Sequence, residues 1–178
     1  TDGRTAETVA VPINGVDSTA VANLETYYDS LSLNYQRTGY TFSMWQDAGR
    51  GNQLIDIKNH AYSISDDTTL TPYWVPITYT IAFKSQEDGF EGAEPTGETP
   101  SITATYDTPA TLPTPGFEKE GYRFTGWKFT GEDSKIQTYN AGQTARNLTS
   151  VQDRICTMVA QWQYDVADFN KVSVTGSY

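Results

Sequence analysis

One cysteine and one histidine set the limits on nucleophilic chemistry in this 178-residue sequence. A cysteine nucleophile needs a nearby base to generate its thiolate, and the single candidate, His60, sits in the other half of the chain from Cys156. The pattern therefore favours Cys156 as a small buried hydrophobe on the Trp162 face of its strand, and a lone cysteine leaves no internal disulfide. An internal thioester between Cys156 and Gln161 or Gln163 is a covalent alternative, although nothing around these residues is specific to it. A Lys-Asn isopeptide bond would need a buried lysine beside a carboxylate, and position alone makes Lys84 its candidate.

Oxygen ligands are plentiful. Glu87, Asp88, Glu91 and Glu94 lie in one polar segment and Asp66 with Asp67 in another, so calcium binding is one reading. The EF-hand spacing is absent, and a solvated acidic loop is the favoured reading. Carboxylate pairs of the kind used in glycoside hydrolysis occur in any acidic chain, and these fall mainly in loop-like segments. No glycine-rich phosphate loop follows a strand, and the Asn147 tripeptide "NLT" is a glycan acceptor only in a eukaryotic secretory host. Enzymatic activity is not expected: no catalytic, cofactor-binding or metal-ligating residue is assigned and no cofactor is called for. The remaining chemistry is aromatic. Tyr27, Tyr28, Tyr35, Tyr62, Tyr73, Tyr139 and Tyr164 exceed the needs of small cores, and exposed tyrosines serve protein and carbohydrate recognition.

Charge narrows the partners. A formal net charge of -10 repels a phosphate backbone and an anionic membrane alike, so no nucleic acid is expected. No apolar run approaches the roughly 20 residues that span a bilayer. The chain starts at Thr1, without a basic-then-apolar leader, and reads as an excised piece whose signal peptide and anchor lie outside it. Abundant Thr, Ser, Asn and Gly resemble secreted bacterial surface proteins, which gives an extracellular expectation.

The elements that position these residues come in two copies. "GYTFSMW" at 39 to 45 returns as "GYRFTGW" at 121 to 127, an offset of 82, and "TTLTPYW" at 68 to 74 returns as "CTMVAQW" at 156 to 162, an offset of 88. The second copy thus carries 6 extra residues, expected among the polar positions 130 to 150, where loops absorb length cheaply. Looser matches relate "TVAV" at 8 to 11 with "TIAF" at 80 to 83, and "TYYDSLSL" at 26 to 33 with "ATYDTPATL" at 104 to 112. The expected division is 1 to 76, 77 to 164 and a tail at 165 to 178 that resembles the first strand of another module. Val75 and Pro76 would form a short joint holding the two modules in line.

Strands dominate. Ile77, Tyr79, Ile81 and Phe83 alternate onto one face, as do Cys156, Met158, Ala160 and Trp162, with Leu70, Pro72 and Trp74 as first-copy counterparts; Pro72 marks an edge or strand end. Strict alternation would send Trp127 to the opposite side from Phe124. A bulge at Gly126 returns it to the same core, and in the first copy, with Met44 at that place, the expectation is a bulge without a left-handed residue, or Trp45 turned outward. Gly39 and Gly121 mark turns before the strands. Pro113 and Pro115 make a long helix there untenable, leaving one turn after Pro115. Val21, Leu24 and Tyr28 have helical spacing, so a helix is expected over the first part of 17 to 28 and a strand at its end.

Tyr79, Phe83, Tyr106, Leu112, Pro113, Pro115, Gly121, Tyr122, Phe124, Gly126, Trp127, Ala160 and Trp162 together resemble the internalin-type B-repeat, or Listeria-Bacteroides repeat. The first copy is a degenerate version, lacking the proline pair and the second glycine. The resemblance implies a mainly β (α+β) fold of two tandem β-grasp-like modules, each a mixed sheet with a short helix. It also implies a non-catalytic segment of a bacterial secreted or wall-attached protein that serves as stalk, spacer or adhesive module. Its expected partners are neighbouring repeat modules. The competing readings are a receptor-binding module for host protein or glycan and an accessory domain of a larger cell-wall enzyme.

Overall fold

The computed structural model describes residues 36–55 and 69–165 together with two short strands at Val21–Ala22 and Tyr62–Ser63. The chain divides into two compact units, Thr1–Pro76 and Ile77–Tyr178. The expected strands over 8 to 11, 25 to 28 and the tail beyond Asp165 lie outside the described residues.

In the first unit the strands are β1 (Val21–Ala22), β2 (Tyr40–Asp47), β3 (Gln53–Ile55), β4 (Tyr62–Ser63) and β5 (Leu70–Pro76). β2 is central to an antiparallel sheet ordered β3-β2-β5, and β1 pairs with β4. Val21 and Ala22, expected on a helix, are therefore strand residues paired with Ser63 and Tyr62. Three apolar positions are a thin helical signal, and the branched Val21 side chain suits a pleated strand better. Pro72 lies on β5, which in the described sheet is bonded on one side only, to β2. Val75 and Pro76, read above as a joint, are the last paired residues of β5, opposite Thr41 and Tyr40.

The second unit contains β6 (Thr78–Lys84), β7 (Thr96–Gly97), β8 (Ile102–Thr105), β9 (Ala110–Thr111), β10 (Phe117–Glu118), β11 (Tyr122–Thr130), β12 (Ile136–Tyr139), β13 (Thr144–Ala145) and β14 (Ile155–Tyr164). Its main sheet is mixed and five-stranded, ordered β12-β11-β14-β6-β8. β6 and β14, the first and last of the described strands in the unit, pair in parallel at the centre, and the other ladders of this sheet are antiparallel. Ribbons β7–β10 and β9–β13 stand apart from it.

Alternation along these strands builds the core. Tyr79 and Ile81 from β6, Trp127 and Phe129 from β11, and Cys156, Met158 and Ala160 from β14 are buried together with Leu112, Phe117 and Leu148. The short helix implied by the resemblance is not found in this unit, all of whose residues through Asp165 are described. Residues that follow β8 instead carry β9 and β10. Three prolines in seven residues, Pro109, Pro113 and Pro115, remove the N–H donors a helix requires, while Leu112 forms backbone hydrogen bonds with Gln143 and Gly142. Among the described residues the one helical element is a 3-10 turn in the first unit, Ala48–Arg50, which Asp47 caps through the Gly49 N–H at 2.9 Å.

The repeat register holds in the paired strands. Phe42 lies opposite Trp74 as Phe124 lies opposite Trp162, and Trp45 lies opposite Pro72 as Trp127 lies opposite Ala160. The added length falls in two places. Trp45 pairs with Ile55 where Trp127 pairs with Tyr139, so the offset has grown from 82 to 84 within the first hairpin, and it reaches 88 only by the closing strand.

Candidate functional site

The repeated heptapeptide forms the same aromatic nucleus twice. In the second unit the ladder between β11 and β14 shifts register between Phe124 and Gly126, with Gly126 at φ 153°. The bulge brings the Phe124 and Trp127 ring centroids to 5.0 Å at an interplanar angle of 63°, and Trp162 meets Phe124 edge-on at 6.0 Å. In the first unit the shift lies between Phe42 and Met44, and Met44 is not at positive φ. There Phe42 and Trp45 are 5.4 Å apart at 64°, and Phe42 and Trp74 are 5.9 Å apart. Trp45 thus joins its aromatic partner on the same side, the first of the two outcomes expected. Edge-to-face pairs of this kind add to the burial energy of the rings.

Trp127 is fully buried, and its indole N–H donates to the Pro113 carbonyl at 2.9 Å. Leu112, also fully buried, precedes that carbonyl in sequence. The Leu-Pro stretch and the tryptophan are thus halves of one contact: the apolar residue fills the core, and the next carbonyl satisfies a buried donor that would otherwise be costly.

The turns before the heptapeptides match as well. Tyr40 N–H bonds to Arg37 O and Tyr122 N–H to Lys119 O, both at 3.0 Å, with Gly39 at φ 76° and Gly121 at φ 74°. Each turn places a cation on the tyrosine that follows: Arg37 lies 3.7 Å from the Tyr40 ring centroid and Lys119 lies 5.0 Å from that of Tyr122.

Around Lys119 the second unit departs from the first. The acidic segment after β6, expected to be a solvated loop, folds back on the sheet. Lys119, only 4% exposed, donates to Gln86 Oε1 at 2.6 Å and sits 4.2 Å from the Phe90 ring. Gln86 Nε2 in turn donates to Glu94 at 2.9 Å, and the Trp162 indole donates to Ser85 O at 2.6 Å. Glu87 receives Lys128 at 2.7 Å, and that lysine holds the carboxyl below the usual glutamate range. Farther along, at the end of the antiparallel β7–β10 ribbon, the backbones run so close that a side chain on Gly116 would meet the Glu98 carbonyl at 2.0 Å. Between segment and sheet lies an open cleft of about 510 Å³ lined by Glu94, Glu118, Lys119, Tyr122, Phe124 and Trp162. A second trough of about 340 Å³ runs along β11 and β14, with the ion pairs Lys128–Glu87 and Arg154–Glu132 among its lining.

The sequence candidates that fall within the described residues have defined places. Cys156 is 3% exposed and burial pushes its thiol up, the environment of an inert cysteine rather than a nucleophile. It shares the core-facing side of β14 with Met158 and Ala160, so strand alternation turns Gln161 and Gln163 to the other side, and Gln161 is hydrogen-bonded to Glu87. That geometry leaves no thioester partner. Lys84 is half-exposed and paired with Asp88, not buried as an isopeptide lysine must be. Among the acidic candidates for calcium, Glu87, Asp88 and Glu94 are occupied by Lys128, Lys84 and Gln86; among the described residues no three His, Cys, Asp or Glu side chains converge. His60, Asp66, Asp67, Tyr27, Tyr28 and Tyr35 lie outside the described residues, as does the side chain of Tyr62. Tyr73 and Tyr164 are exposed and Tyr139 half-buried. Sequence reasoning missed Lys119 and the strapped loop; the available signal was Phe90, an apolar ring that a freely solvated segment has no use for.

The family model of the Listeria-Bacteroides repeat domain matches residues 11–71 and 79–151. The chain belongs to the Listeria-Bacteroides repeat family. Both units carry a match, so the first copy, for all its departures, is a repeat in its own right. A relative in Evansella cellulosilytica, named "Putative Gly-rich membrane protein", is 31% identical over 150 residues. The alignment covers 81% of this chain but only 16% of that protein. No solved structure matches the chain at a significant level. Among the described residues no helix is long and apolar enough to cross a membrane.

Proposed function

We propose that these two Listeria-Bacteroides repeats are a non-catalytic spacer segment of a bacterial secreted or wall-attached protein, with an adhesive role secondary to holding distance. The observation that carries this reading is the doubled nucleus: each unit closes its own sheet around Phe-Trp-Trp contacts of matching geometry. The groups able to do chemistry are spent on structure, Cys156 in the core and Lys119, Lys128 and Glu87 in tying down a loop. The mixed sheet of the second unit supports the β-grasp part of the reading, in a version without its crossing helix.

A second reading, recognition of a glycan or host protein, is favoured by the cleft beneath residues 94 to 96, where Tyr122, Phe124 and Trp162 line an open concavity beside Glu118. A glycan array and a panel of matrix proteins, probed with the full chain, separate the two. The spacer reading expects no saturable binding. Saturable binding lost on Tyr122→Ala would replace it with the recognition reading.

A further inference from the structure

We propose that the second unit resists tension along the chain, with the parallel β6–β14 pair as its force-bearing element. The inference rests on topology and stands whether or not the segment also binds a ligand.

This unit begins at Ile77, β6 is its first strand, and β14, ending at Tyr164, is the last strand among the described residues, so a pull transmitted along the polypeptide acts on the start of β6 and the end of β14. These two strands are neighbours, and they run the same way: Thr80 lies opposite Ile155 and Lys84 opposite Val159, five pairs in register. The pull drags β6 backward and β14 forward along their common axis. The connecting hydrogen bonds, evenly spaced in a parallel ladder, are then sheared together instead of opened one after another. Antiparallel terminal strands, or terminal strands at opposite edges of the sheet, would lack this geometry.

The ladder is lengthened at its loaded end. Asp153 N–H bonds to Thr78 O and Thr80 N–H to Arg154 O, both at 2.9 Å. Beyond them, the Gln152 carboxamide accepts from Thr78 N–H and donates to Thr78 Oγ1, both at 3.1 Å. These contacts sit where force first arrives on β6.

Sliding is also blocked by the core. Tyr79 and Ile81 on β6 and Cys156 and Met158 on β14 are all essentially buried. Because side chains alternate, a slip of one residue would turn every buried side chain on β6 toward the outer face. The pair occupies the centre of the sheet, with β11 and β8 on its flanks, so water does not reach its bonds from an open edge.

The test is single-molecule force spectroscopy on the full chain in two pulling geometries, forced unfolding being governed by the unfolding barrier along the pull. One geometry loads the termini. The other loads the N-terminus and a handle on Ser150→Cys, an exposed position just before β14, which places both attachments at the same end of the parallel pair and peels it. Buried Cys156 does not compete for the handle. The rupture force of the second unit is expected to be at least about twofold higher through the termini, because the ladder breaks as a set. Val151→Cys, also exposed, serves as a second handle should Ser150→Cys disturb folding, judged by thermal unfolding. Equal forces in the two geometries, or a lower force through the termini, would overturn the proposal.

Discussion

Gly126 sits where three demands meet: an extra residue in β11, a φ of 153°, and a backbone neighbour so near that a Cβ would lie 2.7 Å from the Tyr139 carbonyl oxygen. Gly126→Ala should therefore be severe for so small a change. Forcing a side chain into a packed site costs about 1–3 kcal/mol, and holding a non-glycine residue in that backbone region costs of order 1–3 kcal/mol more. The Tyr139 carbonyl belongs to β12 and cannot move without disturbing its ladder with β11. Roughly 2–6 kcal/mol of lost stability is the expectation. At about 4–8 °C per kcal/mol for a module of this size, the melting transition of the second unit should fall by about 10 °C or more. Met44 supplies the control, because the first unit makes its bulge without positive φ. Met44→Gly should cost only about 0.5–1 kcal/mol of backbone entropy, plus whatever packing the half-buried side chain contributes. The assay is calorimetry and urea unfolding of the full-length variants. A Gly126→Ala transition within about 0.5 kcal/mol of the parent, the range of ordinary surface changes, would refute the account of the bulge.

Three further outcomes are expected. Cys156, buried with its thiol pushed up by loss of solvation, should resist alkylation at neutral pH in the folded chain and react once urea unfolds the second unit; rapid labelling of native protein would contradict its placement. Burial also raises the phenols of Tyr79 and Tyr139. In the unfolded chain these groups ionise at their ordinary values, so protonation favours the fold and stability should decline as pH climbs above the ordinary thiol and then phenol range, read by urea midpoints and tyrosinate absorbance; a flat alkaline limb would count against it. Glu87 behaves oppositely: hydrogen bonding from Lys128 lowers its folded value, so its contribution is present at neutral pH and fades as pH falls below the ordinary glutamate range. The pair is partly exposed, so Lys128→Met should cost about 1 kcal/mol or less at neutral pH and lessen the acid sensitivity, and a larger, salt-independent loss would point to a different role.

Local chemistry made part of this structure legible. Gly126 directly before Trp127 announced a bulge because no other arrangement puts both aromatic rings on one side of a strand. The alternation of Ile77, Tyr79, Ile81 and Phe83 announced β6 for the same reason. The extra residues of the second copy were placed between 130 and 150, and two of them do lie in the hairpin between β11 and β12. What stayed hidden depends on partners far apart in sequence. Gln86 meets Lys119 across 33 residues and Trp162 meets Ser85 across 77, so the segment looked like a solvated acidic loop when only its composition was in view. The helix implied by family resemblance failed at Pro109, Pro113 and Pro115, residues whose stiffness was visible, and Leu112 anchors that stretch instead. Val21 and Ala22 misled because three apolar positions fit a helix and say nothing of the pairing with Tyr62 and Ser63.

The doubled architecture requires each repeat to enclose an interior of its own. Hydrogen–deuterium exchange of full-length Trp127→Ala, resolved by peptide, addresses that directly, since removing a fully buried tryptophan costs about 3–5 kcal/mol. Faster exchange from Ile77 through Tyr164, with peptides covering β2 and β5 unchanged, is the predicted result. Acceleration of both sets together would mean that the two repeats share one cooperative core, and would contradict the account.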